Sequence, residues 1–168
     1  KNPLGQVPYF VHGDFALSQS MPIIQYINST WKKPAIFSES RSERAKQVQL
    51  AEIINSSIQP IQNLSVLQKL KSDFNASKEQ KDSWCKYWIE KGFAALERWL
   101  EVTAGHFGFG DRISVADIYL IPQVYNANRF DVDMNMFPII DRINTKCLDE
   151  NAFISAHPDN QPDTPEDD

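Results

Sequence analysis

From residue 40 to residue 156 the chain offers no convincing strand, while apolar residues keep returning at three-and-four spacing. That pattern confines most of the sequence to amphipathic helices packed on one another. Val48, Ala51, Ile54, Ile58, Ile61 and Leu64 form a stripe in a segment running from Ser40 to about Leu70. Pro60 must kink or split that segment, since it has no N–H to donate and its ring crowds the preceding turn. A second long helix is expected from about Lys78 to Val102, with Trp84, Trp88, Phe93, Leu96, Trp99 and Leu100 on a wide buried face and Thr103-Ala104-Gly105 as its stop. The stretch from Gly105 to Asp111 neither follows a strand nor matches a dinucleotide loop, and reads as an inter-helix connection. Ser114-Val115-Ala116-Asp117 then fits a capping box with Asp in place of Glu, which assigns Asp117 to capping and core specification, and another apolar helix follows. Two shorter helices are expected over Phe137 to Leu148 and Asn151 to Ala156, before a Pro- and Asp-rich extended tail from His157 to Asp168.

The first 38 residues read differently. Tyr9-Phe10-Val11 and Phe15-Ala16-Leu17 are short β-prone runs on either side of His12-Gly13-Asp14, where Gly13 can supply the positive φ of a hairpin turn. Ser20 is a favourable N-cap, Pro22 falls in the first turn, and Ile23, Ile24 and Ile27 give a helix ending near Ser29. Trp31 to Ser38 has the composition of a linker. The division expected is therefore 1–30, a linker over 31–38, and an all-helical domain over 39–168.

At 168 residues and 42% hydrophobic the chain can bury a real core. A net charge of −5 without a basic stretch argues against nucleic acid as a partner, and no apolar run approaches the roughly 20 residues that span a bilayer. Cys85 and Cys147 both lie in helical patterns and read as buried structural thiols in a reducing, cytoplasmic setting. His12, His106 and His157 are scattered, so no metal site is expected, and no G-x-S-x-G or phosphate loop occurs.

Two polar groupings remain. Gln19 and Ser20 stand at a helix N-terminus, where unpaired N–H groups, the dipole and the Ser20 hydroxyl favour a carboxylate; the alternative is that Ser20 only caps its own helix. Gln59 and Asn63, one turn apart with Ser65 close behind, read either as the wall of a polar site or as an ordinary solvated face. Val7-Pro8 opens the first strand, and on residues alone it is expected to be trans.

Asn-Pro-x-x-Gln-Val-Pro (2–8), Gln-Ser (19–20), Ile-Gln-Pro-x-Gln-Asn-Leu-Ser-Val-Leu (58–67), Gly-Asp-x-x-Ser-x-Ala-Asp (110–117), Pro-Gln-Val-x-Asn-Ala-x-Arg-Phe (122–130) and His-Pro-x-x-Gln-Pro-Asp-Thr-Pro (157–165) together resemble the zeta class of glutathione transferases. That class includes maleylacetoacetate and maleylpyruvate isomerases. The resemblance implies an α+β, mostly α fold: part of a thioredoxin-like domain, hairpin plus helix, followed by the all-helical domain of these transferases. It implies a cis bond before Pro8 that turns the Val7 N–H and C=O toward the cysteinyl unit of glutathione. Val7, Gln19 and Ser20 would hold the tripeptide, with Gln59, Asn63, Leu64 and Ser65 completing its surroundings. Arg129 resembles the arginine that receives a substrate carboxylate; its alternative is a salt bridge with Asp131 or Asp133.

The implied activity is cis-trans isomerisation of maleylacetoacetate, or maleylpyruvate, in tyrosine and phenylalanine or other aromatic-acid catabolism. The glutathione thiolate adds to the alkene and leaves after rotation, so glutathione is a recycled coenzyme. The resemblance also implies a homodimer. The family's thiol activator, a Ser-Ser-Cys type motif, does not occur in these residues; it is expected either upstream of Lys1 or deleted, in which case the chain alone would be inactive. Two other readings stay open: conjugation or dehalogenation of small α-halo acids, and a non-catalytic dimerisation scaffold.

Overall fold

The chain divides into two units, Lys1–Ser38 and Glu39–Asp168, and the computed structural model describes residues 2–31, 33–162 and 164. In the first unit β1 (Tyr9–His12) and β2 (Phe15–Ser18) form an antiparallel hairpin in which Tyr9 faces Ser18 and His12 faces Phe15. Gly13, at φ +61°, supplies the left-handed conformation that a two-residue hairpin loop needs at its first position. Helix α1 (Ser20–Trp31) runs two residues past the expected stop. Its Tyr26 meets the hairpin, with the ring 4.8 Å from that of Phe15 and the hydroxyl 2.9 Å from Nδ1 of His12.

The second unit contains α2 (Arg41–Ser57), α3 (Leu64–Phe74), α4 (Lys78–Thr103), α5 (Val115–Arg129), α6 (Pro138–Leu148) and α7 (Asn151–Ala156), with 3-10 turns at Met134–Met136 and Pro158–Asn160. Helix α5 is the centre: it packs against α2 and α6, and α4 packs against the same two. Accordingly α5 is buried on nearly every side, through Val115, Ala116, Tyr119, Leu120, Val124 and Ala127. It also continues through Pro122, whose ring faces solvent.

Of the two outcomes expected at Pro60 the split is the one observed: α2 ends at Ser57, and α3 starts afresh at Leu64. Two other expectations need correction. The inward stripe of α4 is Cys85, Ile89, Phe93, Leu96 and Leu100, while Trp99 is 45% exposed and Trp84 and Trp88 are only half-buried. Nor is the chain extended directly after His157, where Pro158–Asn160 form a 3-10 turn. The 3-10 turn is fastened back to α7 by Asn160 Nδ2 donating to the Ile154 carbonyl at 2.7 Å and Gln161 Nε2 donating to that of Ser155 at 2.9 Å. The end of the expected tail, at 163 and 165–168, lies outside the described residues.

Side chains fix the starts of α4, α5 and α6. Ser77 and Gln80 form a reciprocal capping box on α4, and Ser114 and Asp117 form another on α5. The second box is tied to the loop before it. One Asp117 oxygen accepts the Gly108 N–H at 2.7 Å, and the other accepts the Ser114 N–H at 2.8 Å and its hydroxyl at 3.0 Å. Gly105 in that loop has no room for a side chain, since a Cβ there would lie 2.7 Å from the Gly110 main chain. Helix α6 begins with Pro138 at its first turn and is capped from a distance: the carboxylate of Glu97 on α4 accepts the N–H groups of Ile139 at 2.6 Å and Ile140 at 3.0 Å.

Cys85 and Cys147 are free and wholly buried. Burial pushes their thiols up, to about 11 for Cys85 and about 12 for Cys147. Both thiols should therefore resist a maleimide reagent at pH 8 in the native protein and become reactive together at the urea midpoint of unfolding. Labelling of either before that midpoint would contradict a structural role.

Candidate functional site

In the first unit the approach to Val7 is set by a turn. Asn2 accepts the Leu4 N–H at 3.0 Å through Oδ1, its carbonyl accepts the Gly5 N–H at 3.0 Å, and its Nδ2 donates to the Gln6 carbonyl at 2.6 Å. Pro3 sits where a turn favours proline, and Gly5 has φ +65°. The bond between Val7 and Pro8 is cis, as the family resemblance implies and against the reading from residues alone. Val7 is 92% exposed. A second cis bond, Lys33-Pro34, went unread in the sequence.

The start of α1 differs by one residue from the sequence expectation. The carbonyl of Gln19 accepts the Ile23 N–H at 3.2 Å, which makes Gln19 the N-cap and Ser20 the first helical residue. Gln19 has φ +74°, a left-handed conformation that a side chain makes unfavourable by roughly 1–2 kcal/mol. Ser20 is thereby released from capping. Its hydroxyl makes no hydrogen bond among the described residues, and the N–H groups of Ser20 and Met21 stand unpaired at the positive end of the helix.

In the second unit the α2–α3 break carries four marked residues. Gln59 lies in the turn itself, half-buried, and Asn63 is the N-cap of α3, so the two do not share a helix face. Asn63 Oδ1 accepts both the Ser65 N–H at 3.0 Å and the Ser65 hydroxyl at 2.8 Å. Leu64, the first residue of α3, is 67% exposed. Beside it an open concavity of about 410 Å³ is lined by Ser65, Val66, Lys69, Leu70 and Trp84, taking in only Ser65 of the marked residues. The turn is pinned from two directions. Trp84 Nε1 on α4 donates to the Ile61 carbonyl at 3.0 Å, and Gln62 Nε2 donates to Oε1 of Gln123 on α5 at 2.6 Å.

Arg129 closes α5, exposed, with its guanidinium carbon 5.7 Å from the centroid of the Phe130 ring. The salt-bridge alternative is not realised among the described residues. Asp133 instead accepts the N–H of Asn135 at 3.1 Å and its Nδ2 at 2.8 Å, while Asp131 takes a left-handed φ of 55° and offers its main-chain carbonyl to Lys86 at 2.6 Å.

The chain as a whole resembles known proteins. The family model described as "Glutathione S-transferase, N-terminal domain" matches residues 1–29. A probable maleylacetoacetate isomerase of Vibrio cholerae is 41% identical over 96% of this chain and 75% of its own length. A holo structure of a maleylpyruvate isomerase, a bacterial glutathione S-transferase of the zeta class, superposes with a TM-score of 0.95 at 36% identity, over 98% of this chain and 78% of that one. The chain belongs to the zeta class of glutathione transferases. The maleylacetoacetate isomerase of Anaeromyxobacter dehalogenans, with glutathione bound in its active site, superposes on this zeta-class chain with a TM-score of 0.90 at 37% identity, over 98% of this chain and 77% of that one. The expected fold is thus the observed one: the hairpin and α1 are part of a thioredoxin-like domain, and the helices are the second domain of a zeta-class transferase.

What the sequence reading of this zeta-class chain missed is the fastening of the α2–α3 turn. A signal existed. Gln123 is a single amide within the apolar run 118–124, where α5 must face the core on nearly every side, and a buried amide requires a partner.

Proposed function

We propose that this protein is a glutathione-dependent cis-trans isomerase of maleylacetoacetate or maleylpyruvate. Bound glutathione supplies a thiolate that adds reversibly to the substrate alkene, so that the former double bond can rotate before the thiolate leaves. The residues suit such a ligand. The exposed main chain of Val7 offers a donor and an acceptor to a peptide backbone, and the unpaired N–H groups of Ser20 and Met21 with the Ser20 hydroxyl suit a carboxylate. Gln19 sets that helix start through its backbone. Gln59, Asn63, Leu64 and Ser65 contribute further glutathione contacts from the α2–α3 turn. Arg129 receives a carboxylate of the keto-acid, holding it by a two-pronged charge-assisted contact while charge develops elsewhere in the substrate. The reading places the protein in the cytoplasm as a homodimer, in tyrosine and phenylalanine breakdown or a similar aromatic-acid route. The domain reading is a partial thioredoxin-like segment over 1–30, a linker over 31–38 and the helical domain over 39–168.

One observation carries the substrate half: the Arg129 guanidinium is held at a helix end with no carboxylate of its own among the described residues. The test is maleylacetoacetate turnover by the full-length protein with and without glutathione. Turnover is expected only with glutathione, which should be recovered unchanged. Turnover without it, or glutathione consumed mole for mole, would overturn the reading.

A further inference from the structure

Gln123 lies on the central helix and is fully buried, yet it makes one hydrogen bond, to Gln62. The other half of each amide, Gln123 Nε2 and Gln62 Oε1, is buried without a partner among the described residues. As a contribution to stability this is a poor arrangement, because an unmet buried polar group costs about as much as one such bond gains. Two leucines would fill the same space at lower cost. The pair therefore has another use, and its location shows what it can be. It fixes Gln62, while the Trp84 indole fixes the carbonyl of the preceding residue, Ile61. Fastened at successive residues to α5 and α4, the turn cannot slide along either helix. Gln59 lies two residues before this double anchor, and Asn63 directly follows it.

We propose that Gln123, acting through Gln62, and Trp84, acting through Ile61, are positioning residues that hold the α2–α3 turn in the geometry by which Gln59 and Asn63 meet glutathione. The inference rests on the placement of glutathione contacts at that turn. Neither Gln123 nor Trp84 touches the ligand; each sets the angle at which others do, and a small misplacement of a binding group is costly.

The test uses three variants of the full-length protein: Gln59→Ala, the double variant Gln62→Leu/Gln123→Leu, and Trp84→Phe, which removes the indole donor and part of the ring while keeping an aromatic side chain. Glutathione affinity is read by titration calorimetry, and stability by urea unfolding. The double variant is expected to unfold at an unchanged or higher urea concentration and still bind glutathione about tenfold more weakly, with KM for glutathione rising while kcat holds. Trp84→Phe should weaken binding in the same direction and covers the case in which the double variant does not fold. If Gln59→Ala weakens binding while the other two bind as tightly as the parent, the positioning role is overturned and the contact at Gln59 stands. If Gln59→Ala itself binds normally, the placement of glutathione at this turn fails, and the inference fails with it.

Discussion

Replacing Asp117 with alanine is expected to lower the unfolding free energy by about 3–5 kcal/mol, because it strips the only described acceptor from three buried donors at once, each worth roughly 1–3 kcal/mol when left unmet. Against a native stability on the order of 5–15 kcal/mol, a loss of that size leaves the protein close to unfolding at physiological temperature. The effect is large because one carboxylate does two jobs. Its contacts with Ser114 start the central helix, and its contact with Gly108 closes the preceding loop onto that helix, where a Cβ at Gly108 would already stand 3.1 Å from the carboxylate oxygen. Burial pushes the Asp117 carboxyl above its ordinary value of 3.8, with the Gly108 and Ser114 donors pulling the other way. A carboxyl raised in this way holds its proton more tightly folded than unfolded. Its contribution is therefore fully present below the unfolded value and declines as pH rises through the folded one. The gap between parent and Asp117→Ala should accordingly be wider at pH 4 than at pH 7 in urea titrations. A loss under about 1 kcal/mol, or a gap that widens with pH, would show that Asp117 does not hold the loop as described.

How much of this architecture could be read from residues depends on how local its causes are. Helix α7 was expected over Asn151 to Ala156 and spans those residues, and α6 begins one residue late because Pro138 takes the first helical position. Helix α4 starts at Lys78 as expected, because its start is written in the local Ser77–Gln80 box, and it ends one residue past Val102. The start of α1 was misplaced because a left-handed Gln19 is not what its residue type suggests. The shared face of Gln59 and Asn63 failed for a similar reason. Asn63 followed by Ser65 is a local capping pair, and once Pro60 has ended α2 that pair starts a new helix. Long-range devices were out of reach altogether: Glu97 on the start of α6, Trp84 on Ile61, and Gln62 on Gln123 join residues that no spacing rule connects. The same limit explains Trp99, which fits the periodic stripe of α4 but lies on a part of the helix that nothing described covers fully.

Arg129→Leu is expected to reduce kcat/KM for maleylacetoacetate by about 100- to 1,000-fold, the loss of two charge-assisted hydrogen bonds worth roughly 1.5–3 kcal/mol each, part of which water recovers. Stability should hardly move. The guanidinium forms no ion pair among the described residues, Asp133 is already engaged with Asn135, and the charge only complements the C-terminal end of α5, worth about 0.3–1 kcal/mol. That contrast separates the proposal from a structural arginine, whose removal would shift the urea midpoint at least as clearly as the kinetics. Glutathione affinity should also survive, since Arg129 is assigned to the keto-acid and not to the tripeptide. Arg129→Lys provides the finer test. It keeps the charge and the helix-end interaction but loses the planar fork, so it should recover part of the lost KM term and little of the orientation that a bidentate carboxylate contact gives. Measured together, an unchanged unfolding midpoint, an unchanged glutathione Kd and a selective loss toward the dianionic substrate are the expected set. Full activity in Arg129→Leu would remove Arg129 from substrate binding and return the carboxylate receptor to the search.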